Sequence, residues 1–176
     1  MINKTNHNAT LSQTVLIKAG IAVFELADGG GGPGTNPGGY IHAQPDEKAI
    51  PRLLDERRAI DFDRVISRNT LGIVTRSGDA FHLNRNGVYL VTWEISVIAT
   101  KENAYAALNL EVGGSVHSKS YMPLPIGVLF GSAVIRQEAD LAEGPVPAVR
   151  LVNASGDTVQ ISEYSTITIT QVVELP

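Results

Sequence analysis

Between residues 88 and 98 the chain alternates with a two-residue period. Tyr89, Val91, Trp93, Ile95 and Val97 fall on one face, and Leu90, Thr92, Glu94 and Ser96 on the other. That pattern predicts a strand with one face in a core and the other on a partly covered sheet. Similar signals recur at residues 104–112, where Ala106, Leu108 and Leu110 are in phase, and at 115–122, 129–137, 146–153, 158–162 and 166–173. Turn chemistry separates them: Gly113-Gly114, residues 123–127, residues 142–145 and Ser155-Gly156-Asp157. No helical pattern is long enough to cross over between parallel strands, so the expected fold is all-β, an antiparallel two-sheet sandwich. About eight strands from Asp61 onward is the strand count of a jelly roll.

The first 60 residues read differently. Val15, Ile17, Ile21 and Val23 surround Lys18-Ala19-Gly20, which predicts a hairpin or two short strands in an N-terminal arm over residues 1–27. Residues 28–45 are rich in glycine and proline and read as a linker. Two Gly-X-Y triplets occur within it, but Pro37 breaks the phase that a collagen triple helix requires. Residues 46–60 carry Ile50, Leu53, Leu54 and Ile60 among charges, and Pro51 limits them to a short helical or irregular segment. The jelly-roll domain is expected over residues 61–176, with the rest as an N-terminal extension.

Composition narrows the function. A chain of 176 residues suits one domain with an appended arm. A net charge of −4 lacks the basic excess that nucleic-acid binding uses. The absence of cysteine removes disulfides, thiolate metal sites and thiol nucleophiles. No apolar run matches a signal peptide or a membrane span, so neither membrane insertion nor a secretory leader is expected. Charged residues make up only 18 % of the chain, which hints at buried subunit surfaces.

Phe81, followed by the glycine turn and the Gly87-Val88-Tyr89 strand, resembles the trimeric jelly roll of tumour necrosis factor and the complement globular heads. Residues 151–159, Leu-Val-Asn-Ala-Ser-Gly-Asp-Thr-Val, resemble that family's turn before the penultimate strand, and residues 166–173 resemble its terminal strand. The resemblance covers roughly residues 58–174. Within the family, the C-terminal domains of collagen-like spore-surface and exosporium proteins and the heads of phage tail fibres are the most similar branch. It implies a non-enzymatic homotrimer, a structural or adhesive head on a spore, cell or virion surface, assembled there through the N-terminal arm. The alternative it leaves open is a soluble carbohydrate- or protein-binding module of signalling type. Thr168, Thr170 and Val172, facing away from inward Ile167 and Ile169, are the expected trimer contacts. Ligand specificity is expected in loops, chiefly Lys101, Glu102 and Asn103, with residues 123–127 and 139–145.

Catalytic and metal chemistry is sparse. His7, His42, His82 and His117 lack the i, i+2 or i, i+4 spacing of a local zinc site. In a homotrimer a single histidine near the axis becomes three ligands, which makes His82 and His117 weak metal candidates against the plainer reading of strand histidines. Glu138, Asp140 and Glu143 bring carboxylates to one loop, the oxygen chemistry calcium prefers, and some members of the family bind calcium on such loops. They lack the Asp/Asn/Gly framework of a calcium loop, so solvated charge is preferred and no cofactor is expected. Asp61 and Asp63 share a side and are expected to be neutralised by Arg64 and Arg68. Ser118 and His117 are adjacent and point to opposite faces of a strand, which precludes proton exchange. The triplets Asn8-Ala9-Thr10 and Asn153-Ala154-Ser155 match a glycosylation pattern that arises often by chance.

Overall fold

The computed structural model describes residues 15–18, 21–24, 39–46, 52–68, 72–101, 105–138 and 146–175. It divides into two units, Met1–Thr35 and Asn36–Pro176. In the first, β1 (Val15–Lys18) and β2 (Ile21–Phe24) form the expected antiparallel hairpin, with Val15 opposite Phe24 and Lys18 opposite Ile21.

The second unit is the sandwich. Its strands are β3 (Tyr40–Gln44), β4 (Arg52–Leu54), β5 (Arg64–Arg68), β6 (Val74–Ser77), β7 (Ala80–Leu83) and β8 (Gly87–Ala99). They continue with β9 (Ala106–Val112), β10 (Ser115–Met122), β11 (Ile126–Gln137), β12 (Ala148–Asn153), β13 (Val159–Ile161) and β14 (Thr166–Glu174). One sheet has the order β10-β9-β12-β7-β6, and the other runs β4-β13-β8-β14-β3-β5 with β11 on the free side of β8. Every pairing is antiparallel. The 13-residue β8 is long enough to carry β11 along one side and, end to end on the other, β13 and then β14. This is the expected antiparallel jelly roll of two sheets.

The core follows from the alternation. Tyr89, Val91, Trp93, Ile95 and Val97 are all buried, as are Leu129 and Ile135 of β11 and Ile167 and Ile169 of β14. The facing sheet contributes Ala106, Leu108, Leu110, Val149 and Leu151, and the Phe62 and Phe81 rings meet at 6.0 Å. Each large side chain so buried contributes about 1.5–3 kcal/mol of transfer free energy. The buried Tyr89 finds a partner for its polar tip: its hydroxyl donates to the Arg85 carbonyl at 2.7 Å, and burial pushes its pKa up to about 12. Between β9 and β10, Gly113 and Gly114 both take positive φ, 59° and 83°, as a two-residue primed hairpin turn requires.

Three boundaries differ from expectation. Tyr40–Gln44, inside the segment read as a linker, is β3, which extends the sheet beyond β14 and puts Ile41 and Ala43 in the core. Its two apolar residues beside Pro37-Gly38-Gly39 give too short an alternation to outweigh the glycine signal. Arg52–Leu54, inside the segment read as helical or irregular, is β4, paired with β13. The sandwich unit therefore starts at Asn36, not at residue 61. Finally, β11 begins at Ile126, within the stretch read as a turn.

Ion pairs knit the early segments to the sandwich. Arg52 donates to Asp63 Oδ2 at 2.9 Å and also to the Asp61 carbonyl, and the Asp46 amide donates to Asp63 Oδ1. Arg76 pairs with the Asp61 carboxylate at 2.8 Å. Arg52 and Arg76 thus meet these carboxylates, where the expected partners were Arg64 and Arg68.

Candidate assembly surface

The strand register decides what the outer face of the seven-stranded sheet presents. Because opposed residues share a face, Ile126, Val128, Phe130, Ser132 and Val134 of β11 lie beside Ile98, Ser96, Glu94, Thr92 and Leu90 of β8. Thr166, Thr168 and Thr170 of β14 continue these rows beyond β8. In this block of thirteen side chains Glu94 alone is charged. Ile126, Phe130 and Val134 are 64, 60 and 58 % exposed. An apolar ridge therefore runs along β11, flanked by a hydroxyl-rich field on β14. His42 of β3 closes that field, sharing a 2.8 Å hydrogen bond between its Nδ1 and Thr168 Oγ1.

Thr168 and Thr170 do face away from the core, half-buried among their neighbours, while Val172 sits exposed in a bulge between Gln171 and Val173. The ridge on β11 was not among the expected contacts. Its signal was present in the sequence: apolar residues occur in both phases of the strand, Leu129 and Ile135 inward, Val128, Phe130 and Val134 outward.

The other candidates are scattered. His117 occupies the bulge of β10, and its Nε2–H donates to the Val134 carbonyl at 3.0 Å, closing the sandwich edge between β10 and β11. His82 lies on β7 opposite Thr75 and Ala148. Glu138 pairs with Arg136, while Asp140 and Glu143 lie outside the described residues. Lys101 pairs with Asp157, whose carboxyl is held below its ordinary value by that hydrogen bond and by the Thr158 amide; Glu102 and Asn103 also lie outside the described residues. Among the described residues no group of three or more histidines and carboxylates could hold a metal ion. No helix there is long and apolar enough to cross a membrane.

The Asn153-Ala154-Ser155 triplet is structural. The buried Asn153 amide donates to the carbonyls of Leu54 at 2.9 Å and Asp157 at 2.8 Å, and its oxygen accepts from the Ser155 amide at 2.9 Å. Ser155 Oγ in turn bonds the Ala107 backbone. One turn thereby ties β12, β4, β13 and β9 together, and the nitrogen that glycosylation would need is occupied and inaccessible.

Solved structures with this arrangement identify the fold. An Eiger TNF from S. frugiperda superposes with a TM-score of 0.57 at 16% identity, covering 80% of this chain and 96% of that one. Murine APRIL gives a TM-score of 0.59 at 9% identity over 76% of this chain and 98% of the other. The vertex protein P5 of PRD1 gives 0.54 at 15% identity, over 78% and 99%. The fold is the tumour-necrosis-factor-like jelly roll. No protein-family model and no curated protein matches the chain by sequence. In this TNF-like jelly roll, the sheet built on β8, β11 and β14 carries the apolar ridge, and the sheet built on β9, β10 and β12 faces the opposite way.

Proposed function

We propose that the chain is a non-enzymatic homotrimeric head, a structural or adhesive module of a spore, cell or virion surface, with residues 1–35 as its tether. The observation that carries this reading is the ridge of Ile126, Phe130 and Val134 beside Leu90 and Ile98, in a block of thirteen outward side chains where Glu94 alone is charged and which Arg136 bounds at the end of β11. An exposed apolar surface of this kind marks an association site, and charge depletion is typical of the centre of such sites. A second copy of the chain supplies the matching surface, because a cyclic trimer repeats one heterologous contact and closes it. Its fold likeness to signalling ligands and to a viral vertex protein favours a presented head over an enzyme.

The test is absolute mass in solution by light scattering after size exclusion. The expected value is 3 × 18.8 kDa, or 56.4 kDa. A mass of 18.8 kDa across micromolar concentrations overturns the homotrimer.

A further inference from the structure

The five-stranded sheet offers a second, unrelated surface. On its outer face the register sets Tyr121 opposite Ala107, and Lys119 opposite Asn109. Tyr105 stands just before β9 with its ring 5.4 Å from that of Tyr121, the planes inclined by 40°. Tyr121 is 64 % exposed and Tyr105 40 %, so two phenol rings touch each other on an open face. Farther along β9, Asn109 and Glu111 line a shallow groove with Glu56 and Arg57, over a floor that includes Val152 and Ala154. From Ala107 to Glu111 the strand advances about 13 Å, enough for a short oligosaccharide segment laid along it.

Arg57 is fixed in an unusual way. It is the one non-glycine residue with positive φ among the described residues, at 62°, a conformation that costs a side-chain-bearing residue and tends to collect at functional sites. Its amide is tied to the Asn153 carbonyl at 2.9 Å, while its guanidinium stays exposed, 3.7 Å from Glu56.

We propose that this surface binds an uncharged, β-1,4-linked hexopyranose chain. The C–H faces of pyranose rings stack on exposed aromatic rings, and the tilted tyrosine pair presents such faces beside Ala107, two residues along β9 from Asn109 of the groove. Amide, carboxylate and guanidinium groups then exchange hydrogen bonds with sugar hydroxyls, which both donate and accept. Glu56 and Glu111 balance Arg57 and Lys119, and Arg150, opposite Glu111, is paired with Asp79 at 3.5 Å. The groove lining itself, with Glu56 and Glu111 against Arg57, has no excess of cations to select an acidic sugar. Its open shape fits an extended chain rather than a single enclosed ring. The site lies on the sheet opposite the β11 ridge, so it stays accessible in the assembled head and does not depend on that assembly.

The experiment titrates the full chain with cellohexaose and with chitohexaose, read by isothermal calorimetry, beside Tyr121→Ala, Tyr121→Phe and Glu111→Gln. The expected result is saturable binding of at least one hexasaccharide below about 10 mM, weakened about tenfold or more by Tyr121→Ala and by Glu111→Gln and retained by Tyr121→Phe. The solution mass and melting temperature of the variants are expected to match the parent. No binding of either sugar up to about 10 mM overturns the proposal, as does undiminished binding by Tyr121→Ala. A Tyr121→Ala protein of altered mass also overturns it, since the aromatic pair would then belong to the assembly surface.

Discussion

Trp93 and Gly131 face each other across the β8–β11 ladder so closely that a methyl group on Gly131 would lie 2.0 Å from Cζ2 of the indole. The indole is held there along that same edge, Nε1–H donating to Ser120 Oγ at 2.9 Å and Ser120 donating onward to the Phe130 carbonyl at 3.1 Å. One tryptophan thus locks β8, β10 and β11 at the edge where the two sheets meet. Gly131→Ala must displace the ring and break that relay, at an expected cost of about 3 kcal/mol. Trp93→Ala, which leaves a cavity, is expected to cost about 3–5 kcal/mol. For the glycine variant, denaturant unfolding followed by the fluorescence of this single tryptophan gives the value. A loss below about 1 kcal/mol would mean that the ring shifts at little cost and does not lock the three strands.

Much of this arrangement could be read from the chain. The period of β8 placed Trp93 inside, and the in-phase apolar residues of β9 and β14 were assigned to the core correctly, because burial of one sheet face imposes a strict alternation. β3 and β4 were hidden, since a strand of three to five residues needs only one or two apolar positions on its core face, and the glycine and proline nearby dominate the local signal. The Asp61 and Asp63 partners were missed for a different reason. Arg52 and Arg76 lie 9 to 15 residues away in sequence and are brought in only by the pairing of strands. The β11 ridge is the most instructive omission: its apolar residues occur in both phases, so the alternation that marks a half-buried strand is absent and the outward set merges with the inward one.

Asn153 should behave as a structural residue. Replacing it with alanine leaves the Leu54 and Asp157 carbonyls and the Ser155 amide without their partner in a buried turn, an expected loss of about 2–4 kcal/mol. Asn153→Asp should be at least as damaging, since a carboxylate would confront two carbonyl oxygens. Thermal denaturation of both variants checks this. Stability equal to the parent in Asn153→Ala would show that the turn does not depend on the side chain.

The Asp63 carboxyl predicts an acid limit. Burial raises its pKa, but hydrogen bonds from Arg52 and the Asp46 amide, together with the Arg52 charge, outweigh this and hold it below the ordinary value of 3.8. A carboxyl whose folded pKa is depressed stabilises the fold above the unfolded pKa, and that contribution is lost as pH falls through the folded pKa. Asp157, depressed by Lys101 and the Thr158 amide, adds to the same window. Stability measured between about pH 5 and pH 2 should therefore fall, and Asp63→Asn should fall less steeply while starting lower. Identical slopes for parent and variant would show that Asp63 is not linked to folding.

The ridge on β11 gives the sharpest test of assembly. Phe130 and Val134 are exposed in the single chain and their strand positions point away from the core, so Phe130→Glu and Val134→Asp should leave the fold of one protomer intact. Placed between copies, the same charges would be buried without partners, at a cost of several kcal/mol for each repeated contact. The expected outcome is a fall in solution mass from 56.4 kDa, three times 18.8 kDa, to 18.8 kDa, with the β-sheet circular dichroism retained. Because association stabilises only the folded state, the parent melting temperature should rise with protein concentration and that of the charged variants should not. Should both variants keep the parent mass, the contact between copies lies elsewhere, and the β14 field around Thr168 and His42 becomes the surface to substitute next.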